Sequence, residues 1–231
     1  MFKKLVQWFK GEGLLSQAKE EVLEMLKENL SMFRDSVKLL WTNEGASLDE
    51  IRERDRQINR NVRDVRKKVL THLVFSGSSG LETSLALISI VRDIERIGDH
   101  AKDICYLATD FPGSFKPGDF KDDLQEFENA IAERLQILVE IFESGDEENK
   151  KAARLTTTHK DIDRQYRSML LKLITEENES LSSGQSAILA LYMRYLRRIE
   201  GHIFNIASAE VNPFHRIGFR AKDKEKSKKR A

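Results

Sequence analysis

IVRDIERIGDHAKDICY, residues 90–106, decides how this chain is read. Ile90, Ile94, Ile97, Ala101 and Ile104 recur every three or four residues, the period of one buried helix face. Arg92, Glu95, Asp99 and Asp103 fall at i, i+3, i+7 and i+11 and form a second, polar stripe on the same helix. Upstream, Leu81, Leu85 and Ile88 continue that azimuth with apolar residues. The stripe is therefore expected to be covered there, with the charges at the edge of a contact. Gly98 sits in mid-helix, where it costs roughly 1 kcal/mol relative to Ala. A close helix approach or a ligand is expected to need the missing side chain.

Working outward, the same period recurs along most of the chain. Helix one is expected from Leu14 to Trp41, with Ala18, Val22, Met25, Phe33, Val37 and Leu40 inward. Ser47 and Glu50 have the spacing of a capping box that opens helix two, and Ser79 and Glu82 have it for helix three, which stops before Pro112. Residues 111–118 hold two prolines and two glycines and read as a linker. Helix four carries Phe120, Leu124, Phe127, Ile131, Leu135, Leu138 and Phe142, with Gly145 as its stop and Asp146 as the next cap. Helix five carries Leu155, Ile162, Tyr166, Met169 and Leu173. Ser182 and Gln185 open helix six, and Pro213 lies just beyond its end. Helices of this length joined by short turns read as up-down-up bundles.

The second half repeats the first. Asp93, Arg96, Ile97, His100 and Ile104 align with Tyr195, Arg198, Ile199, His202 and Ile206, an offset of 102 residues; Ile58-Asn59-Arg60 aligns with Ile162-Asp163-Arg164 at 104. The expected fold is all-α: two tandem three-helix bundles, six long helices with a pseudo-twofold internal repeat. Its expected divisions are an amphipathic arm at 1–13, repeat one at 14–110, repeat two at 119–212 and a basic, disordered tail at 213–231.

Composition bounds the function. Among 231 residues, 40% are hydrophobic, enough for a packed core, and 33% are charged; Lys and Arg (39) nearly balance Asp and Glu (38), leaving no global electrostatic case for nucleic acid. One cysteine, Cys105, excludes an internal disulfide and fits a reducing cytoplasm. No apolar run approaches the roughly 20 residues that span a bilayer. In residues 2–10, Phe2, Leu5, Val6 and Phe9 share one face and Lys3, Lys4 and Lys10 the other. That pattern suits an anionic membrane surface or a fold back onto the bundle. The expected location is cytoplasmic, peripheral at the inner face of the membrane.

Residues 92–100, RDIERIGDH, resemble the signature helix of the PhoU family of phosphate-signalling regulators, whose E(D)xxxD motif is matched by Glu95 and Asp99. The duplicated unit and roughly residues 14–212 share the resemblance. It implies a non-enzymatic regulator of phosphate uptake and phosphate signalling that binds the phosphate transporter or its associated sensor kinase, with a homo-oligomer a further expectation. The family also implies multinuclear iron or zinc held by acidic motifs on neighbouring helices. Carried onto this chain, the metal candidates are Glu95, Asp99, Asp103 and Asp55, in repeat one only. The alternative function is accordingly a metal-binding or metal-storage protein using that acidic site, and the bland reading of Glu95 and Asp99 is a salt-bridge network.

The supporting helix departs from the family, reading Asn61-Val62-Arg63 where a carboxylate is usual. In repeat two, Arg197 and Gly201 replace Glu95 and Asp99, and His159 replaces Asp55. Glu-x-x-His pairs for a ferritin-like di-iron centre are absent, as is a Walker phosphate loop. No enzyme activity is expected.

Overall fold

A computed structural model describes residues 12–111, 113–144, 149–175 and 181–221. The expectations placed on residues 1–11, on Gly145 and Asp146, and on residues 222–231 lie outside them.

Among the described residues there are six α-helices and no strand. They are α1 (Glu12–Thr42), α2 (Leu48–Ser76), α3 (Leu81–Asp110), α4 (Lys121–Ser144), α5 (Asn149–Thr175) and α6 (Ser183–Val211), with short 3-10 turns at Gly118–Phe120 and Phe214–Arg216. No described helix is long and apolar enough to cross a membrane. Helices α1, α2 and α3 pack together as one three-helix unit, and α4, α5 and α6 as the second. The units join through two pairs, α1 on α4 and α3 on α6, while α2 and α5 lie outside. Both joining pairs run antiparallel. Trp41 meets Glu128 and Lys27 meets Glu143 along the first; His100 meets Tyr195 and Asp93 meets Asn205 along the second. Four central helices flanked by two outer ones follow from this pairing, with the pseudo-twofold axis crossing the helices.

The apolar stripes make the core. Ala18, Val22, Met25, Ile51, Ile58, Ile90, Ile94, Ile97, Phe127, Leu135, Ile199 and Ile203 are all buried. Cys105 is buried among them, and burial pushes its thiol up to about 11, which suits a small core residue rather than a nucleophile. The linker is more than a connector. Phe115 is buried with its ring edge against Trp41 and Tyr192. Gln185 pins the same segment by accepting from the Lys116 amide at 2.9 Å and donating to the Ser114 carbonyl at 2.9 Å.

Local signals fared differently at three helix starts. The Ser47–Glu50 capping box forms in both directions. At α6, Ser182 accepts from the Gln185 amide, but the Gln185 side chain is engaged by the linker. The expected Ser79–Glu82 box does not form: Gly80, in the left-handed region at φ 68°, is the N-cap and makes no side-chain cap bond. Glu82 instead accepts from the Phe214 amide at 3.3 Å, tying α3 to the turn that follows α6.

The covering expected over Leu81, Leu85 and Ile88 is also incomplete, with Leu81 44% and Ile88 38% exposed. Leu70, Val74 and Phe75 at the end of α2 are exposed as well, and α2 packs on the helices of its own unit.

Gly98 answers the question its position raised. A Cβ there would lie 2.8 Å from Asn29 Oδ1 and 3.2 Å from Ile58 Cδ1. Asn29 needs this approach because its amide donates to the Ile94 carbonyl at 2.7 Å, bonding α1 to α3 inside the core. A helix approach, not a ligand, is what Gly98 serves. Gly98→Ala gains helix propensity but displaces Asn29, and a net loss of about 1–3 kcal/mol is expected from overpacking. Urea unfolding followed by circular dichroism measures it; a variant at least as stable as wild type would show that Asn29 moves without cost.

Candidate functional site

The acidic stripe of α3 faces the outer groove between α3 and α2. Antiparallel packing brings Asp55 of α2 opposite residues 99–102 of α3. The carboxylate of Asp55 is almost wholly buried, and it does not meet Asp99 directly. The Lys102 ammonium sits between them, 2.6 Å from Asp55 Oδ2 and 3.3 Å from Asp99 Oδ1. Arg96 takes the other oxygen of Asp99 at 3.1 Å, and Asn59 donates to Asp55 Oδ2 at 3.4 Å. Burial on its own would lower the pKa of Lys102; the bond to Asp55 and the charges of Asp55 and Asp99 outweigh it and hold the ammonium above its ordinary value.

The four metal candidates therefore separate. Asp55 and Asp99 share one site, joined by Lys102. Glu95 lies half-buried one turn before Asp99 and makes no ion pair among the described residues. Asp103 turns toward α6 and meets its own helix's His100, with Oδ2 3.2 Å from Nδ1. Among the described residues, no group of three or more His, Cys, Asp or Glu is arranged to hold a metal ion. One oxygen of Asp55 is buried without a partner. Even so, a dication entering this groove meets two side-chain cations before it meets a third ligand, and like charges repel strongly where water is scarce. These residues do not fit the multinuclear metal group that the family resemblance implies.

Repeat two closes its equivalent groove in the same manner from a different residue. Arg197 stands at the position of Glu95 and reaches Asp163 of α5, Nε to Oδ1, at 2.6 Å. Arg167 adds a second contact to Asp163 at 3.0 Å. Burial pushes the Asp163 carboxyl up, but Arg197 and Arg167 outweigh that and leave it below its ordinary value. Each outer groove is thus latched by a basic side chain from the motif helix. The sequence showed Lys102 only as one more surface-spaced lysine, three residues from Asp99. Its direction is set by the depth of Asp55 opposite.

Beneath the second groove lies a buried network with no counterpart in repeat one. Glu200 stands at the position of Gly98 and has no exposed surface. Arg134 of α4 donates to both its oxygens, at 2.7 and 2.8 Å, and also to the Leu155 carbonyl and the Thr158 hydroxyl, each at 2.6 Å. His159 of α5 adds a contact to Glu200 at 2.8 Å and stacks on Phe204 with centroids 4.4 Å apart. Where α1 approaches closely over Gly98, α4 stands off here and the space holds an ion pair.

Lys102→Ala is expected to leave the buried Asp55 without its cation and to cost about 1–3 kcal/mol. Denaturant melts of the variant measure this, and a loss below 0.5 kcal/mol, taken roughly as the scale of a surface substitution, would mean that the latch is ornamental.

Comparison with known proteins converges on one family. Residues 22–108, which include the motif helix and both sides of the Asp55 groove, match the family model of the PhoU domain. A phosphate-specific transport system accessory protein PhoU homolog from Synechocystis sp. is 24% identical over 202 residues, covering 85% of this chain and 87% of that protein. A PhoU homolog of the same description from Pseudomonas putida is 26% identical over 210 residues, covering 89% and 80%. The crystal structure of PhoU from Pseudomonas aeruginosa has a TM-score of 0.77 at 22% identity, over 86% of this chain and 96% of that one. PhoU from Streptococcus pneumoniae gives 0.72 at 19% identity, over 85% and 93%. The domain matched around the motif helix, the relatives aligned along most of the chain and the shared fold all point to PhoU: residues 22–108 match its domain, and the chain as a whole is similar to PhoU homologs and folds like the PhoU structures.

Proposed function

We propose that this protein is a non-enzymatic regulator of phosphate uptake and phosphate signalling, which acts by binding components of the phosphate transporter or its associated sensor kinase. The observation that carries the proposal is the alignment, along most of the chain, with proteins named as accessories of the phosphate-specific transport system. The architecture supports it. Its polar interior is spent on latches and buried ion pairs between helices, and its one cysteine is a core residue with a raised pKa. The alternative, a metal-storage protein built on the groove of Asp55 and Asp99, has less support, because Lys102 and Arg96 already neutralise those carboxylates.

Affinity capture from phosphate-replete and phosphate-starved cells tests the proposal. Enrichment of transporter subunits or their kinase, changing with phosphate supply, is expected. Capture that yields neither under both conditions overturns the binding mechanism.

Contact with an anionic membrane is a separate proposal, resting on the sequence of residues 2–10. Lys3, Lys4 and Lys10 would each contribute about 1 kcal/mol near such a surface. Co-sedimentation with anionic vesicles should weaken with added salt and on removal of residues 1–11; equal partitioning of both forms would exclude it.

A further inference from the structure

The outer helix α2 ends on a surface that the bundle does not use. Arg63, Arg66, Lys67, Leu70 and Val74 fall at i, i+3, i+4, i+7 and i+11 and share its solvent face. Along that face the character changes from basic to apolar. Arg63, Arg66 and Lys67 are exposed and make no ion pair among the described residues, whereas Lys68 beside them is paired with Glu21. Asp64 is the only acidic residue from Arg63 to Ser76. Leu70, Val74 and Phe75 follow, 63%, 70% and 69% exposed. Side chains that open project from the surface and do not line a groove.

The start of α1 lies at this same end. The turn after α2 is held against it by His72, whose Nε2 lies 2.8 Å from the Ser79 carbonyl oxygen. A Cβ on Gly80 of that turn would lie 2.8 Å from Leu15 Cδ1 of α1. The pairs Glu21–Lys68 and Asp35–Arg54 show the same antiparallel order of α1 and α2. Residues 2–10, whose sequence sets Lys3, Lys4 and Lys10 beside Phe2, Leu5 and Phe9, therefore join the fold here.

We propose that the end of α2 docks on an anionic lipid bilayer, with Leu70, Val74 and Phe75 entering the headgroup layer and Arg63, Arg66 and Lys67 on the lipid phosphates. The rise from Lys67 to Val74 is about 10 Å, comparable with the roughly 5–10 Å to which interfacial apolar groups sink. Long basic side chains a turn or two behind can then reach the phosphates while the apolar ones pass below them. A cationic face without internal partners is complementary to a negative leaflet. Repeat two lacks the pattern. At the offset of 104, Leu170 and Leu171 stand for Arg66 and Lys67, and Arg167, standing for Arg63, is taken by Asp163. The end of α5 is thus apolar, with Leu171 62% and Ile174 70% exposed, but has no cations in that register. One end of the molecule alone is held to the bilayer. The proposal is independent of the phosphate reading and of the contact proposed for residues 2–10.

The test is co-sedimentation of the full chain with vesicles of phosphatidylcholine alone and of phosphatidylcholine with phosphatidylglycerol. Wild type should bind the anionic vesicles only, and less as salt is added. Arg63→Gln/Arg66→Gln/Lys67→Gln should weaken binding by on the order of a hundredfold, about fivefold for each cation lost. Leu70→Ser/Val74→Ser/Phe75→Ser should weaken it about tenfold or more. Leu171→Ser/Ile174→Ser should bind as wild type does. Thermal melts check that each variant folds. A polarity-sensitive dye on Phe75→Cys reports insertion directly, since Cys105 is buried and stays unlabelled. Its emission should shift to the blue on anionic vesicles, and the same dye on Ile174→Cys should not respond. Full binding by both α2 variants, with loss only on removal of residues 1–11, overturns this proposal and leaves the contact to those residues. Absence of wild-type binding to anionic vesicles overturns it too, and leaves the stripe to an acidic protein or a second copy of this chain.

Discussion

Arg134→Ala should destabilise the protein by about 3–5 kcal/mol, the range for removing one partner of a buried ion pair. Glu200, fully buried, would keep only the His159 contact, in a site that water does not reach. The Leu155 carbonyl and the Thr158 hydroxyl would each lose a donor at the same time. Glu200→Ala should cost a similar amount, since it strands the guanidinium instead. Replacing both charges together, Arg134→Leu with Glu200→Met, should cost well below the sum of the single losses, because neither charge is then left alone. Urea unfolding of the two single variants and the double variant supplies all three numbers. Additive losses would mean that the pair acts as two separate packing residues. This pair also knits α4, α5 and α6, so its loss should lower the stability of repeat two without altering the α2–α3 latch.

The second large effect depends on pH. Glu128 of α4 is buried beside Trp41 of α1, whose indole N–H donates to both carboxylate oxygens at 2.7 and 3.0 Å. Burial raises this carboxyl from 4.5 to about 7 against the opposing pull of the indole bond. In the unfolded chain it titrates near the ordinary value. Between roughly pH 4.5 and 7 the folded state therefore holds a proton that the unfolded state has released, and stability falls as pH rises through that window. The full loss is present above about pH 7 and is on the order of 3 kcal/mol. Glu128→Gln keeps an acceptor for Trp41 and removes the ionisation. The variant's stability relative to wild type should therefore climb from pH 4.5 to 7 and level off above. Parallel slopes for the two proteins would show that Glu128 ionises as freely in the fold as outside it.

What the sequence disclosed was local. The helix spans follow from periodicity, because a buried stripe and its flanking caps lie within a few turns of each other. Ser47 and Glu50 announce their box for the same reason. Gly98 announced a close approach, though not that Asn29, 69 residues earlier, was the cause. The repeat showed which residues were equivalent, and His100 with His202 stood out on that ground alone. What stayed hidden were contacts across long separations. Nothing around Lys102 says that it reaches Asp55, and Arg134 and Glu200 are 66 residues apart, their pairing set by where α4 lies on α6. Ser79 and Glu82 had the spacing of a cap, but a left-handed glycine takes the cap position and a tertiary contact recruits the glutamate. The resemblance marked Glu95, Asp99, Asp103 and Asp55 as one acidic site. Side-chain direction separates them, two in the outer groove with Lys102, one near it and one at the repeat interface.

Labelled-phosphate uptake in cells lacking this protein examines the proposed regulatory role in phosphate uptake most directly. Uptake should lose its normal response to phosphate supply in the deletion strain. It should recover with the wild-type gene, and with the Glu95→Ala/Asp99→Ala form, since regulation is read here as independent of metal in that groove. Uptake and phosphate-responsive signalling that are unchanged on deletion, in both replete and starved cells, would contradict the account.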